Sequence, residues 1–208
     1  MSKERMTVWL VALGLSLLAS APVSGDDQGG YYTLSLELEG KGKYEDALDA
    51  LTKIQGERKG SYMVTLRKGW LLYNLGKYKN SISHYKLAIQ SKPGSLEAKL
   101  GLMLPLMAKR QWLDVEKVAL DALKLDPKNY LAHSRLAYSY YNLQRWGKAE
   151  QHYAVIVELY PGDVDMRSGY GWSLFKQGKH EEAKREFKQI LRYSPTHSAA
   201  LEGMRQCP

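Results

Sequence analysis

Five histidines are the first residues in this chain with the side chains for chemistry: His84, His133, His152, His180 and His197. An imidazole can ligate a metal or shuttle a proton, but either task needs partners at a set spacing. His180-Glu181 opens like the helical zinc motif, in which a second histidine stands one turn on. Lys184 fills that place, and an ammonium group has no lone pair to offer. The other histidines are scattered, so no metal set and no catalytic set is expected. Gly40-Lys41-Gly42-Lys43 has the composition of a phosphate cradle, yet no strand precedes it, and it reads as a turn between helices. Cys207 is the only cysteine, which excludes an intrachain disulfide. It can crosslink two copies in an oxidising compartment, but its place beside the C-terminus reads as a frayed, inconsequential thiol. The expectation is a chain that is not an enzyme and holds no cofactor.

The elements that would position any side chain follow from a period of 34 residues, kept five times without insertion or deletion. Ala183, Phe187 and Pro195 recur as Ala149, Tyr153 and Pro161, more loosely as Val115, Ala119 and Pro127, and again as Ser81, Tyr85 and Pro93. The first copy has Ala47 and Leu51, with Lys59 in place of the proline. Within each unit two apolar stripes at helical spacing flank a break at Gly42, Gly76, Arg110, Gln144 or Gly178, where glycine suits a left-handed residue ending the first helix. Two places later comes a ring, Tyr44, Tyr78, Trp112, Trp146 or His180, placed to wedge between the helices. The prolines stop the second helix, because proline lacks the N–H and disfavours helix in the residue before it. Small residues mark where helices cross: Ser35, Gly69, Ala137 and Gly171 in the first helices, and Ala47, Ser81, Ala149 and Ala183 in the second. Pro105, inside a first helix, cannot donate to the carbonyl of Gly101; a local kink or hinge in the third unit is one expectation and a proline accommodated without consequence for shape the other. Self-similarity at this period marks a solenoid whose units bury their apolar faces only by stacking.

These columns resemble the tetratricopeptide repeat. The resemblance spans five units, 28–61, 62–95, 96–129, 130–163 and 164–197. It is closest in the last two, as in Ala137, Tyr140, Ala149, Tyr153 and Pro161. The third departs most, with Arg110 at the turn and Met103 at the crossing. The implied fold is all-α, a right-handed superhelical solenoid of stacked antiparallel helix pairs, and residues 198–208 resemble the short capping helix that closes such arrays.

The resemblance also implies where a ligand would lie. First helices line a concave groove, and its central row is Leu36, Trp70, Leu104, Tyr138 and Trp172. One turn on stand Glu39, Tyr73, Met107, Tyr141 and Phe175, with Asn74, Asn142 and Lys176 beside them and Arg67 and Arg135 three places before the central row. The implied site is Arg67, Trp70, Tyr73, Asn74, Leu104, Met107, Arg135, Tyr138, Tyr141, Asn142, Trp172 and Phe175, an aromatic floor with guanidinium and amide groups to orient a ligand. Inter-repeat packing is the competing use for the same rings. Some relatives grip a C-terminal carboxylate with lysines, but Tyr32, Leu66, Leu100 and Ser134 stand at those places, which makes that mode of recognition unexpected.

Lys3 and Arg5 precede an apolar run, Met6 to Ala21, and Val23-Ser24-Gly25 follows it: the three parts of a secretory signal peptide, with cleavage expected after Gly25. The run is shorter than the roughly 20 residues a spanning helix needs, which favours cleavage over an anchor. The remaining 28 basic and 21 acidic residues then suit an anionic cell envelope or simple solubility rather than nucleic acid. The combined expectation is an exported, periplasmic scaffold that holds an extended or helical protein segment of an envelope complex. The alternative is a glycan-binding component of polysaccharide assembly or export.

Overall fold

The computed structural model describes residues 28–208; the expected signal segment, residues 1–25, lies outside them. Eleven α-helices and no strand are found among the described residues. Five first helices begin 34 residues apart: α1 (Gln28–Gly40), α3 (Tyr62–Asn74), α5 (Leu96–Ala108), α7 (Tyr130–Asn142) and α9 (Val164–Lys176). Between them lie the second helices α2 (Tyr44–Thr52), α4 (Tyr78–Ser91), α6 (Trp112–Leu125), α8 (Trp146–Leu159) and α10 (His180–Tyr193), and α11 (Ser198–Gln206) closes the array. None of these helices is long and apolar enough to cross a membrane.

The turn inside each unit is left-handed at the same place, whatever the residue: φ is 73° at Gly42, 69° at Gly76 and 78° at Gly178, and also 54° at Arg110 and 57° at Gln144. An L side chain is strained there, so the geometry is imposed by the two helices it joins. The next unit's first helix is capped in register. Ser95, Asn129, Asp163 and His197 each accept the backbone N–H three residues on, that of Ala98, Ala132, Met166 and Ala200. A proline two residues before each cap stops one helix as the next is started. The first unit lacks that proline. There α2 ends early, Ile54 is fully buried, and a 3₁₀ turn, Gly56–Gly60, leads into α3.

Pro105 is buried within α5, which continues unbroken through it to Ala108. Gly101, one turn earlier, is bare for a different reason: a Cβ there would stand 2.3 Å from the ring of Tyr85. The C-terminus is also tied down. Cys207 is buried with Phe187, Ile190 and Ala200, so the expectation of a frayed thiol is wrong: α11 folds back and carries the thiol into the core of the last unit. Burial raises its pKa above the ordinary thiol value, which leaves it protonated and unreactive.

Candidate functional site

The face built by the first helices is shaped by a seam between units, and the seam comes in two forms. In one, a ring from a second helix is clamped between a small residue of its own unit and a glycine of the next: Tyr85 between Gly69 and Gly101, Phe187 between Gly171 and Gly203. Tyr153 likewise meets Gly169, where a Cβ would lie 2.5 Å from the ring. In the other form no ring is available. Leu51 and Ala119 take its place, and the following unit supplies arginine where the ring seams have glycine: Arg67 and Arg135. The third unit's departure is thereby explained, since Met103 and Ala119, both fully buried, exchange the sizes that Gly69 and Tyr85 have one unit earlier.

Both arginines are engaged inside the fold. Arg67 is 9% exposed; its Nε donates to the Ser35 hydroxyl at 2.9 Å and its Nη2 to the Ser35 carbonyl at 2.7 Å, with Glu39 at 2.6 Å completing an ion pair. Arg135 donates to the Leu100 carbonyl, and desolvation lowers its pKa from the ordinary guanidinium value. These guanidiniums fill ringless seams. The sequence cast them as ligand-orienting groups because it shows a charge without showing the carbonyl that charge is held against. The amides are similarly occupied: Asn74 and Asn142 donate to the carbonyls of Trp70 and Tyr138, one turn back in their own helices.

The rings divide in two. In the row one turn past the centre, Tyr73, Tyr141 and Phe175 lean on the wedge rings Tyr78, Trp146 and His180, with centroids 5.8, 4.8 and 5.1 Å apart. That row is largely packing, and Met107 packs likewise against the central core. The central row is open. Tyr138 is 47% exposed and Trp70 37%, the latter with its indole N–H donated to Glu39. Trp172 is half-buried against Phe175 and Phe187.

Two clefts open on this face. The first, about 270 Å³, is lined by Trp70, Leu104, Arg67 and Arg135 with Tyr32, Met63, Leu66, Leu100 and Gly101. The second, about 410 Å³, brings Tyr138, Tyr141 and Trp172 together with Ser168, Lys176 and Gln206 of the capping helix. Of the residues foreseen, Tyr73, Asn74, Met107, Asn142 and Phe175 line neither. Tyr32, Leu66 and Leu100 were passed over, although their column is the one in which relatives place carboxylate-gripping lysines; here it provides apolar wall.

The sequence matches two models described as tetratricopeptide repeat, one over residues 32–95 and 106–164, the other over 169–197. The chain belongs to the tetratricopeptide repeat family. Its fold is shared with MamA from Desulfovibrio magneticus RS-1, at a TM-score of 0.77 and 18% identity over 83% of this chain and 98% of that one. It is shared also with YrrB, described as a TPR protein with an unusual peptide-binding site, at 0.76 and 17% over 86% and 92%. Among curated proteins the chain is similar to DnaJ homolog subfamily C member 3 of Gallus gallus, 31% identical over 53% of this chain, and to the Bos taurus protein at 30%. It spans only 22% of the length of those relatives. Tetratricopeptide arrays serve as protein-interaction scaffolds, and this chain has that architecture.

One cluster escaped the sequence reading. His133 of α7 and His152 of α8 meet with their Nδ1 atoms 2.9 Å apart, while His133 Nε2 lies 3.0 Å from the Pro127 carbonyl. Because a carbonyl only accepts, His133 carries its proton on Nε2 and its Nδ1 accepts from His152. Desolvation, followed by the neighbouring His133 and Lys148, pushes the His152 pKa down to about 4. In the fifth unit Arg167 and Glu186 hold the same two places as an ion pair at 2.6 Å, with Arg167 reaching the Pro161 carbonyl. The histidine pair is therefore a latch across a helix hairpin, and its 19-residue spacing becomes visible only once the repeats are overlaid.

Proposed function

We propose that this chain is a non-catalytic adaptor of the cell envelope, exported by its N-terminal segment, that holds an extended or helical segment of a partner protein along its first-helix face. The observation that carries the reading is the open central row. Trp70 and Tyr138 expose large rings, one at each of the two clefts, although the seams between units are already filled by other residues. Exposed aromatic rings along one face favour protein contact, since a ring contributes large buried area at little entropic cost. The peptide-binding site of YrrB, which shares the fold, supports the same reading.

A sugar ligand is the weaker fit. Glycans need a dense set of free donors and acceptors, whereas Arg67, Glu39, Asn74 and Asn142 are already paired within the fold. Photo-crosslinking from positions 70 and 138, with position 113 on the second-helix side as control, tests the proposal in envelope extract. Crosslinks to one protein band from positions 70 and 138 but not from 113 support it; labelling indistinguishable from the control rejects it.

A further inference from the structure

The two clefts of the first-helix face differ in charge. The first has acids within reach: Glu97 lines it, and Glu39 neutralises Arg67 at 2.6 Å and accepts the Trp70 indole N–H at 2.5 Å. The second, bounded by α7, α9 and α11, has no carboxylate among its lining residues, and its one charged group is Lys176. The repeat register shows where the acid went. Three units on from Glu39 and Trp70, the matching places hold Tyr141 and Trp172. The acceptor of the first indole is thus replaced by a phenol, and among the described residues the Trp172 N–H makes no hydrogen bond.

Three donors stand in line on α9. Ser168, Trp172 and Lys176 are spaced by four residues and so share one helical face. Ser168 is 5% exposed and lines the cleft with a hydroxyl that makes no hydrogen bond among the described residues. Lys176 is exposed, forms no ion pair among the described residues, and carries its ammonium 5.9 Å from the Phe175 ring. In α3 and α7 the same place is asparagine, spent on the carbonyl one turn back. On the facing wall the hydroxyls of Tyr138 and Tyr141 are unbonded too, while Gln206 is tied to Glu202 at 2.6 Å. The lining offers protons and positive charge beside apolar ring surface, with no carboxylate to take them.

Resting on the groove reading above, we propose that the second cleft takes an aspartate or glutamate side chain of the bound protein segment. Its carboxylate accepts from the Trp172 indole and pairs with Lys176, and an apolar neighbour in the segment covers the Tyr138 ring. Ser168, one turn back, donates to a carbonyl of the same segment. An ionised acceptor is held about twice as strongly by such donors as a neutral one. A neutral sugar fits less well, because its hydroxyls must give protons as well as take them. The first cleft, with Glu97 at its wall, takes an uncharged residue.

Two fluorescent octapeptides test this by anisotropy at low and at physiological salt. One alternates glutamate with phenylalanine; the other has glutamine in place of glutamate. The glutamate peptide should bind about tenfold tighter, the range of one charge-assisted contact. Trp172→Phe, which keeps a ring and removes the N–H, and Lys176→Met should each cut that ratio about threefold or more. Lys79→Met, an exposed charge on the second-helix side, should change it by about twofold or less. Melting curves should place all three variants within a few degrees of the parent. Equal affinity for the two peptides would overturn the proposal; if that shared affinity falls in Trp70→Ala, the groove reading stands without it. Binding of neither peptide would overturn it as well, and crosslinking would then decide the groove reading by itself. Losses as large in Lys79→Met as in Lys176→Met would reduce the preference to net charge and reject the site. Tighter binding of an oligogalacturonate than of the glutamate peptide, lost in Lys176→Met, would overturn it in favour of an acidic glycan.

Discussion

The second and third units solve one packing problem in opposite ways. In the second, the large residue is Tyr85 on the second helix, and Gly69 and Gly101 make room for it on either side. In the third, the large residue is Met103 on the first helix, Ala119 is the small one, and Arg135 reaches back from the following unit to the Leu100 carbonyl. Volume is preserved across the crossing while its distribution is inverted, as close packing of protein interiors requires. The inversion decides what faces the groove. Ring seams leave glycine beside the clamped ring, whereas ringless seams fill that place with a guanidinium whose hydrogen bonds are spent on the fold.

The comparison breaks most severely at its best-clamped ring. Phe187→Ala empties the space between Gly171 and Gly203 and should cost about 3–5 kcal/mol in denaturant unfolding. The loss should be read at the C-terminal end, because α11 rests on that ring. Less severe is an attempt to put a ring into the ringless third unit: Ala119→Tyr alone should destabilise by about 1–3 kcal/mol through overpacking. Adding Met103→Gly and Arg135→Gly copies the second unit's seam and should recover most of that loss. A triple variant no more stable than the single one would mean that the two seams are not alternatives for the same space.

The latch of the fourth unit sets a pH dependence. His152 is held neutral in the folded state, with its pKa at about 4, while an unfolded histidine takes up a proton near its ordinary value of about 6.5. The unfolded state therefore gains protons first on acidification. Stability contributed by this group is complete above that ordinary value and falls as pH drops through the window down to about 4. Melting curves across this window should fall for the parent chain and flatten in His152→Val, which carries the residue of the third unit. The smallest effect is expected at the turns. Gln144→Gly relieves an L residue at φ 57° and should raise stability by roughly 0.5–1 kcal/mol, whereas Gly178→Ala should lower it.

Much of this was legible in the chain itself. The turn column placed the break between helices even where Arg110 and Gln144 replace glycine, because register rather than residue type carried the signal; the left-handed backbone it associated with glycine holds at those two residues as well. The capping helix and the first helices followed from the same register. The roles of Arg67 and Arg135 did not, since a guanidinium three places before an exposed ring looks alike whether it faces solvent or a carbonyl of the preceding unit. Reading columns 103 and 119 as a pair would have revealed the exchanged sizes, and with them the reason that arginine follows. The histidine latch and the buried Cys207 depend on contacts between helices that no single-unit pattern encodes.

The central claim is that the open rings serve binding while the seams serve the fold. It is tested most directly by capture from envelope extract on immobilised Trp70→Ala/Tyr138→Ala beside the parent chain, with melting curves for both. The account predicts that the double variant melts within a few degrees of the parent and loses the captured protein, at about 2 kcal/mol or more per ring if both are hot spots. A double variant that unfolds, or one that retains the captured protein in full, would contradict it.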